Sequence, residues 1–156
     1  MRTGSPGADM PTLNSPAGGL RALSLIMGVF LVLMGTDKLA WLGDSGYLTY
    51  QLEEWVSFEP VAISRWYLEW VAIPGAPLFA RLVVLGELAA GAALLAGFRV
   101  RLTGAVALAM VVNFQFASGI MFTSGYLTNG YGPPVLGGLL ALAVGGQRRL
   151  PYSVPW

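Results

Sequence analysis

Residues 77–97 read PLFARLVVLGELAAGAALLAG, an apolar segment whose two charged side chains are Arg81 and Glu87. A helix rises about 1.5 Å per residue, so a segment of this length crosses about 30 Å of hydrocarbon. Pro77 stands where the first helical turn begins, which is the position that proline favours in a helix. The segment therefore predicts a membrane-spanning helix.

The composition of the whole chain agrees with a membrane location. Hydrophobic residues make up 55% of the sequence, charged residues 11%, and the mean hydropathy is +0.64. An average soluble domain has about a quarter of its residues charged. Further spans are predicted at about residues 20–42, 102–122 and 131–146. We therefore expect an all-α membrane protein, a bundle of four transmembrane helices.

A cleaved signal peptide is the competing interpretation of the first predicted span. It fits poorly, because the polar segment before the span is long and no small-x-small cleavage site precedes Asp37. The expected organisation is then a Pro/Gly-rich cytoplasmic tail at residues 1–19, a membrane domain at residues 20–150 and a cytoplasmic end at residues 151–156. The composition of the tail is typical of segments that do not fold alone, so we expect it to contact another polypeptide.

The arginines predict the orientation of the chain, because short cytoplasmic loops are enriched in basic residues. The basic side chains at the ends of the predicted spans would share one side of the membrane. They are Arg2, Arg21, Arg99, Arg101, Arg148 and Arg149. The outer loop, residues 43–76, is instead predominantly acidic. Both termini are therefore predicted to be cytoplasmic.

Residues 43–76 are predicted to contain two short helices, because large apolar side chains recur there at helical spacing. The aromatic residues of these helices are Trp55, Trp66, Tyr67 and Trp70. Such side chains favour the membrane interface, since each has an apolar body and a polar edge. Three interpretations remain open: interfacial helices lying on the bilayer, a docking surface for another protein, and a cap over a substrate site.

The chain has no cysteine and no histidine. Disulfides, iron–sulfur clusters and the usual ligands of zinc, copper and haem iron are therefore excluded, and no metal site is expected. Electrons would have to travel on a bound organic molecule or in a partner subunit. The net charge of +1 also argues against nucleic acid as a partner, because phosphate binding needs a concentrated basic patch.

Glu87 is the most unusual residue, because a carboxylate in the middle of a span costs about 3 kcal/mol on insertion scales. Asn113 lies at nearly equal depth on the antiparallel third span, and we predict a hydrogen bond between the two side chains. This pair either fixes helix packing or binds a quinone carbonyl and relays a proton. Gln115 points about 200° away from Asn113 at about 100° per residue, so one pocket is not expected to use both.

Asp37, Lys38 and Arg81 form a predicted group at the outer rim. An Asp37–Arg81 ion pair would neutralise both charges, while Lys38 would extend to the surface. The alternative is a site for a polar headgroup or a small anion. Small residues also repeat every four positions, at Ala89, Ala93 and Gly97, a spacing that lets helices approach closely in lipid.

Two groups of residues resemble conserved spacing in the DoxX-like membrane family. The first comprises LR at residues 20–21, Gly28, Phe30 and GTDKL at residues 35–39. The second comprises RL at residues 81–82, GEL at 86–88, Gly91, LAG at 95–97, RL at 101–102 and the closing GGQRR at 145–149. The resemblance covers about residues 20–150. The tail and the aromatic outer loop depart from the compact core of that family.

The resemblance implies a four-helix protein of the bacterial cytoplasmic membrane that works near quinone-linked electron transfer. It does not imply an independent enzyme. The preferred interpretation is an accessory subunit of a larger respiratory or photosynthetic electron-transfer complex, which it stabilises and in which it lines a quinone path. Membrane lipids and the other subunits are the expected partners, and a quinone or a lipid is the candidate ligand. The alternatives are a quinone-reducing subunit of a thiosulfate:quinone-type oxidoreductase and a small transporter.

Overall fold

The computed structural model describes residues 15–146 and 150–154, and every regular element in this part of the chain is helical. The elements in chain order are α1 (Pro16–Asp37), α2 (Ala40–Gly43), α3 (Gly46–Ser57), α4 (Ala62–Tyr67) with a continuing π-helical turn (Leu68–Ala72), α5 (Ala76–Ala96), α6 (Val100–Ala117), two 3-10 turns (Ile120–Phe122 and Ser124–Thr128) and α7 (Pro133–Gly145).

Three of these helices, α1, α5 and α6, are long and apolar enough to cross a membrane. The shorter α7 has 13 residues and is also strongly apolar. Helix α5 packs against α1 and α6, and α7 packs against α6 and α1, so the four helices surround a common apolar interior. The predictions of an all-helical fold and of a membrane protein are confirmed to this extent.

The first helix begins earlier and ends earlier than predicted. Ser15 caps it by accepting a hydrogen bond from the Gly18 amide at 3.3 Å, and Pro16 occupies the first helical turn. Residues 16–19 therefore belong to α1 rather than to the tail. The helix ends at Asp37 instead of residue 42, and Lys38 follows as its C-cap. The predicted tail contact concerns residues 1–14, which lie outside the described part of the chain.

The third long helix is also shorter than the predicted span at residues 102–122. It ends at Ala117, because Gly119 adopts a left-handed conformation with φ of 72° and a 3-10 turn follows. The bundle thus has two distinct ends. We call the end formed by residues 38–75 and 118–132 the loop end, and the end formed by residues 15–21, 97–101 and 150–154 the terminal end.

Close contact between α1 and α5 depends on Gly28 and Gly91. A Cβ atom added to Gly28 would lie 3.0 Å from the Gly91 carbonyl oxygen, and one added to Gly91 would lie 2.9 Å from the Gly28 carbonyl oxygen. The predicted stripe of small residues meets α1 only at its end, because Ala89 is exposed whereas Gly97 is buried and adjoins Arg21. Residue spacing alone did not show which of two neighbouring stripes of small residues faces α1.

Arg21 fastens the terminal end. Its guanidinium donates to the carbonyl oxygens of Leu94 at 3.0 Å, Leu95 at 2.7 Å and Tyr152 at 3.1 Å, and the residue is 6% exposed. These acceptors include the carbonyls that the last turn of α5 leaves without helical partners. The residues described after position 149 are consequently packed against the bundle, since Val154 also donates to the Ala96 carbonyl oxygen at 2.9 Å.

Candidate functional site

The candidate site is a cavity of about 290 Å³ at the loop end, between α1, α5 and α6. Helix α3 and the residues that precede α7 also line it, and the cavity remains partly open. The lining is mainly apolar and aromatic, with a few polar groups. Its members are Phe30, Leu31, Met34, Lys38, Trp41, Gln51, Trp55, Glu87, Val111, Phe114, Gln115, Ser118, Ile120, Asn129, Tyr131, Gly132 and Val135.

Aromatic side chains from different elements form much of the wall. Trp55 of α3 meets Phe114 of α6 edge to face, with ring centroids 6.2 Å apart and planes at 90°. Phe30 of α1 lies 6.1 Å from Tyr131, which precedes α7. Rings in such arrangements keep their orientation and present flat apolar surfaces. Aromatic rings from α1, α3, α6 and the segment before α7 thus form part of the cavity wall.

The charged part of the wall is an ion pair between Lys38 and Glu87. The Lys38 ammonium lies 2.9 Å from Glu87 Oε2 and 3.1 Å from Oε1, and it also donates to the Met34 carbonyl oxygen at 2.9 Å. The two side chains are 14% and 8% exposed. The ammonium also lies 5.8 Å from the Trp41 ring centroid and 6.0 Å from that of Phe114. The pair is thus enclosed by apolar and aromatic groups.

The end of α1 explains why Lys38 points inward. Because the helix stops at Asp37, the Lys38 side chain runs back along the last turn as far as Met34 instead of extending to the surface. Gly35 lies one turn earlier, and a Cβ atom there would be 3.3 Å from Glu87 Cβ. Residues three apart share a helix face, so the face of Gly35 that contacts α5 also carries Lys38. This spacing identifies Lys38 as the partner of Glu87 once the contact of Gly35 with α5 is known.

The predicted Glu87–Asn113 hydrogen bond is wrong. Glu87 faces α1 and accepts from Lys38, whereas Asn113 is exposed and its Oδ1 accepts from the Tyr67 hydroxyl at 2.7 Å. Equal depth in the two helices did not determine the direction of the side chains. Asn113 is also absent from the cavity wall, while Gln115 forms part of it, in agreement with the predicted angle between these residues.

Gln115 holds the residues that cover the cavity. It is 7% exposed, donates from Nε2 to the Tyr131 carbonyl oxygen at 2.8 Å, and accepts at Oε1 from the Tyr126 hydroxyl at 2.7 Å. One buried side chain therefore fixes two positions of the segment between α6 and α7. The sequence identified Gln115 as a candidate without indicating these partners.

The predicted ion pair at the outer rim is wrong as well. Within residues 15–146 and 150–154, the ion pair joins Lys38 to Glu87 and not Asp37 to Arg81. Asp37 and Arg81 are both exposed, and Arg81 donates to the Pro77 carbonyl oxygen of its own helix at 2.5 Å. The prediction directed Lys38 to the surface, whereas Lys38 points inward to Glu87 from just beyond the end of α1.

The aromatic residues of the outer loop divide into two pairs. Trp55 lines the cavity, and Tyr67 packs against Phe116 with ring centroids 5.6 Å apart. Trp66 and Trp70 are 58% and 71% exposed on the outside of α4 and its π-helical continuation. Only the second pair is therefore available to a bilayer or to another protein.

The cavity is an aromatic-walled pocket in which the charges of Lys38 and Glu87 balance, and the Glu87 carboxylate is buried in its wall. In the part of the chain that the structure describes, no group of three or more acidic side chains is placed to hold a metal ion. Comparison of the chain with protein-family models, with curated proteins and with solved structures found no match. The assignment of function therefore depends on this geometry.

Proposed function

We propose that this chain is a DoxX-like accessory membrane subunit of a larger respiratory or photosynthetic electron-transfer complex, in which it holds a quinone headgroup. The observation that carries the proposal is the cavity at the loop end, with its aromatic walls and the Lys38–Glu87 pair. Ligand pockets of proteins typically combine an apolar lining with a few polar groups that fix orientation. A quinone ring is planar and apolar with polar substituents, so it fits this description.

The proposal includes four membrane crossings, with both termini in the bacterial cytoplasm. The length of α7 favours a locally thinned bilayer, and its packing along α6 and α1 supports a fourth crossing. Arg99 and Arg101 lie at the terminal end, and acidic residues predominate at the loop end. In this arrangement the exposed Trp66 and Trp70 lie at the outer membrane interface, while α3 caps the cavity.

The test of quinone binding uses two neighbouring valines of α6. Val111 lines the cavity, whereas Val112 is exposed on the outer face of the helix. We expect chain purified from quinone-containing bacterial membranes to retain extractable quinone. Val111→Trp should fill the cavity and remove the quinone, and Val112→Trp, the matched control, should leave it bound. Equal quinone content in both variants, or none in the unmodified chain, would contradict the proposal.

The accessory role is tested separately by isolation from native membranes in mild detergent. We expect the chain to co-purify in fixed stoichiometry with redox subunits that are recognised by their haem or pigment absorbance. Removal of residues 1–14 should weaken that association while the helical content of the isolated chain stays unchanged. An unchanged association would show that this segment does not contact the complex, and free chain at native abundance would contradict the accessory role.

A second candidate, a quinone-reducing subunit of the thiosulfate:quinone type, is favoured by the position of Glu87. A buried carboxylate on the wall of a quinone pocket is suitable for proton transfer. This function predicts thiosulfate-dependent reduction of added quinone that Glu87→Gln abolishes without loss of fold, because an amide does not titrate. Unchanged turnover in that variant would exclude Glu87 from the reaction.

A further inference from the structure

The Glu87 carboxylate has hydrogen-bond acceptor capacity to spare on the wall of the cavity. The Lys38 ammonium contacts the Met34 carbonyl oxygen at 2.9 Å and the two oxygens of Glu87 at 3.1 and 2.9 Å. The Glu87 carboxylate has about four acceptor positions, of which Lys38 uses two. The capacity that remains at this wall is therefore acceptor capacity on Glu87.

The same pair determines the charge of the molecule that fits. Lys38 already occupies the place of a cation beside Glu87, within 5.8 Å of the Trp41 ring and 6.0 Å of the Phe114 ring. A cationic ligand at Glu87 would be repelled by the Lys38 ammonium, and an anionic ligand would face the free acceptor positions of the carboxylate. The ligand is consequently neutral, and its polar end is a hydrogen-bond donor.

The size of the cavity limits the apolar part of the ligand. A volume of about 290 Å³ lies at the lower limit of the about 300–1,000 Å³ that is usual for ligand pockets. Such a space holds one ring, and a long tail would have to extend through the open side of the cavity. The rings of Phe30, Phe114 and Tyr131 offer it flat surfaces. A single aromatic ring that bears a hydroxyl satisfies all of these conditions.

We propose that the cavity binds the reduced, hydroquinone form in preference to the oxidised quinone, through a ligand hydroxyl that donates to Glu87. This inference rests on the proposed function, since it takes quinones as the ligand class. A quinone carbonyl only accepts hydrogen bonds, so it cannot use the free acceptor positions of Glu87, whereas a hydroquinone hydroxyl can. The preference concerns binding alone and requires no electron transfer within this chain.

The test compares ligands of nearly equal shape that differ in their donors. Methylated benzohydroquinone, the matching benzoquinone and the dimethyl ether of the hydroquinone are titrated calorimetrically into the purified full chain in detergent, without oxygen. A hydrogen bond to a charged group predicts that the hydroquinone binds about tenfold or more tightly than either of the other two. Equal or tighter binding of the quinone or the ether overturns the preference and leaves the proposed function in place. Absence of binding by all three overturns both.

A double variant locates the origin of the preference. Lys38→Met with Glu87→Leu removes both charges of the pair together, and the hydroquinone should then lose its advantage over the ether. The matched control is Asp37→Leu with Arg81→Met, which also removes one charge of each sign. Asp37 lies at the end of α1 and Arg81 in α5, and both are outside the cavity. The control should keep the advantage. If the Lys38–Glu87 variant still bound the hydroquinone more tightly than the ether, Glu87 would not be the source of the preference. The comparison of the three ligands on the unmodified chain does not depend on whether either variant folds.

Discussion

Breaking the Lys38–Glu87 pair should destabilise the bundle more than removing the pair altogether. With side chains 14% and 8% exposed, a charge that loses its partner stays in an apolar environment. Removing one partner of a buried pair costs about 3–5 kcal/mol, whereas replacing both by apolar residues is often close to neutral. We therefore expect the free energy of unfolding to fall clearly in each single variant and to recover in the double variant.

The positions of the two residues make the single variants unequal. Lys38 follows the end of α1, so in Glu87→Leu its long side chain can turn toward the surface, and we expect a cost of about 1–2 kcal/mol. Glu87 lies near the middle of α5 and has no such route, so Lys38→Met should cost about 3 kcal/mol. The double variant should lie within about 1 kcal/mol of the unmodified chain, which gives a coupling of about 4 kcal/mol.

The assay is equilibrium unfolding in mixed micelles with increasing denaturing detergent, followed by circular dichroism. The control cycle uses Asp37→Leu and Arg81→Met, whose side chains are exposed and unpaired with one another, and these effects should add to within about 0.5 kcal/mol. A coupling below about 0.5 kcal/mol for Lys38 and Glu87 would refute the reasoning. So would a Lys38→Met variant that is no less stable than Arg81→Met.

Three further predictions concern the rest of the bundle. Arg21→Met should lower the free energy of unfolding by about 2–3 kcal/mol and expose residues 150–154 to protease, because buried carbonyl oxygens lose the guanidinium as a donor. Unchanged protection of that segment from protease would count against the contact. Gly91→Ala should cost about 1–3 kcal/mol in the same unfolding assay, because the added Cβ atom would lie 2.9 Å from backbone atoms of α1. Gly137→Ala should be neutral, because no neighbouring atom lies within 4 Å of the added Cβ atom. Reporter fusions should be cytoplasmic after Arg101 and external near Glu54, and a cytoplasmic signal at Glu54 would refute the proposed orientation.

The membrane helices could be predicted because length and hydropathy are local properties of the sequence. Residues 77–97 deviate by one residue from the observed Ala76–Ala96. The ends of α1 and α6 were less predictable, since they depend on the Ser15 cap and on the conformation of Gly119. Helix ends are decided by a few side-chain and backbone contacts, which composition does not reveal.

The partner of Glu87 could not be predicted by matching depths, because depth leaves the rotation of each helix undetermined. That rotation is set where Gly28 and Gly91 bring α1 and α5 into contact. From this contact, two helical turns along α1 lead to Gly35, and the next turn leads to Lys38. The identity of the ion pair thus follows from which small residue faces the neighbouring helix, information that emerges only when the two helices are packed together.

The polar residues of the two ends have different consequences for the molecule. At the terminal end, Arg21 donates to backbone carbonyl oxygens of α5 and of the C-terminal segment, while its Nε is buried without a hydrogen-bond partner among the described residues. At the loop end, Glu87 keeps acceptor positions beyond those that Lys38 uses, and it borders the cavity. A buried polar group with capacity to spare costs stability unless a ligand or water completes it. Spare capacity therefore exists at both ends, but only at the loop end does it lie on the wall of the described cavity, where a ligand can complete it.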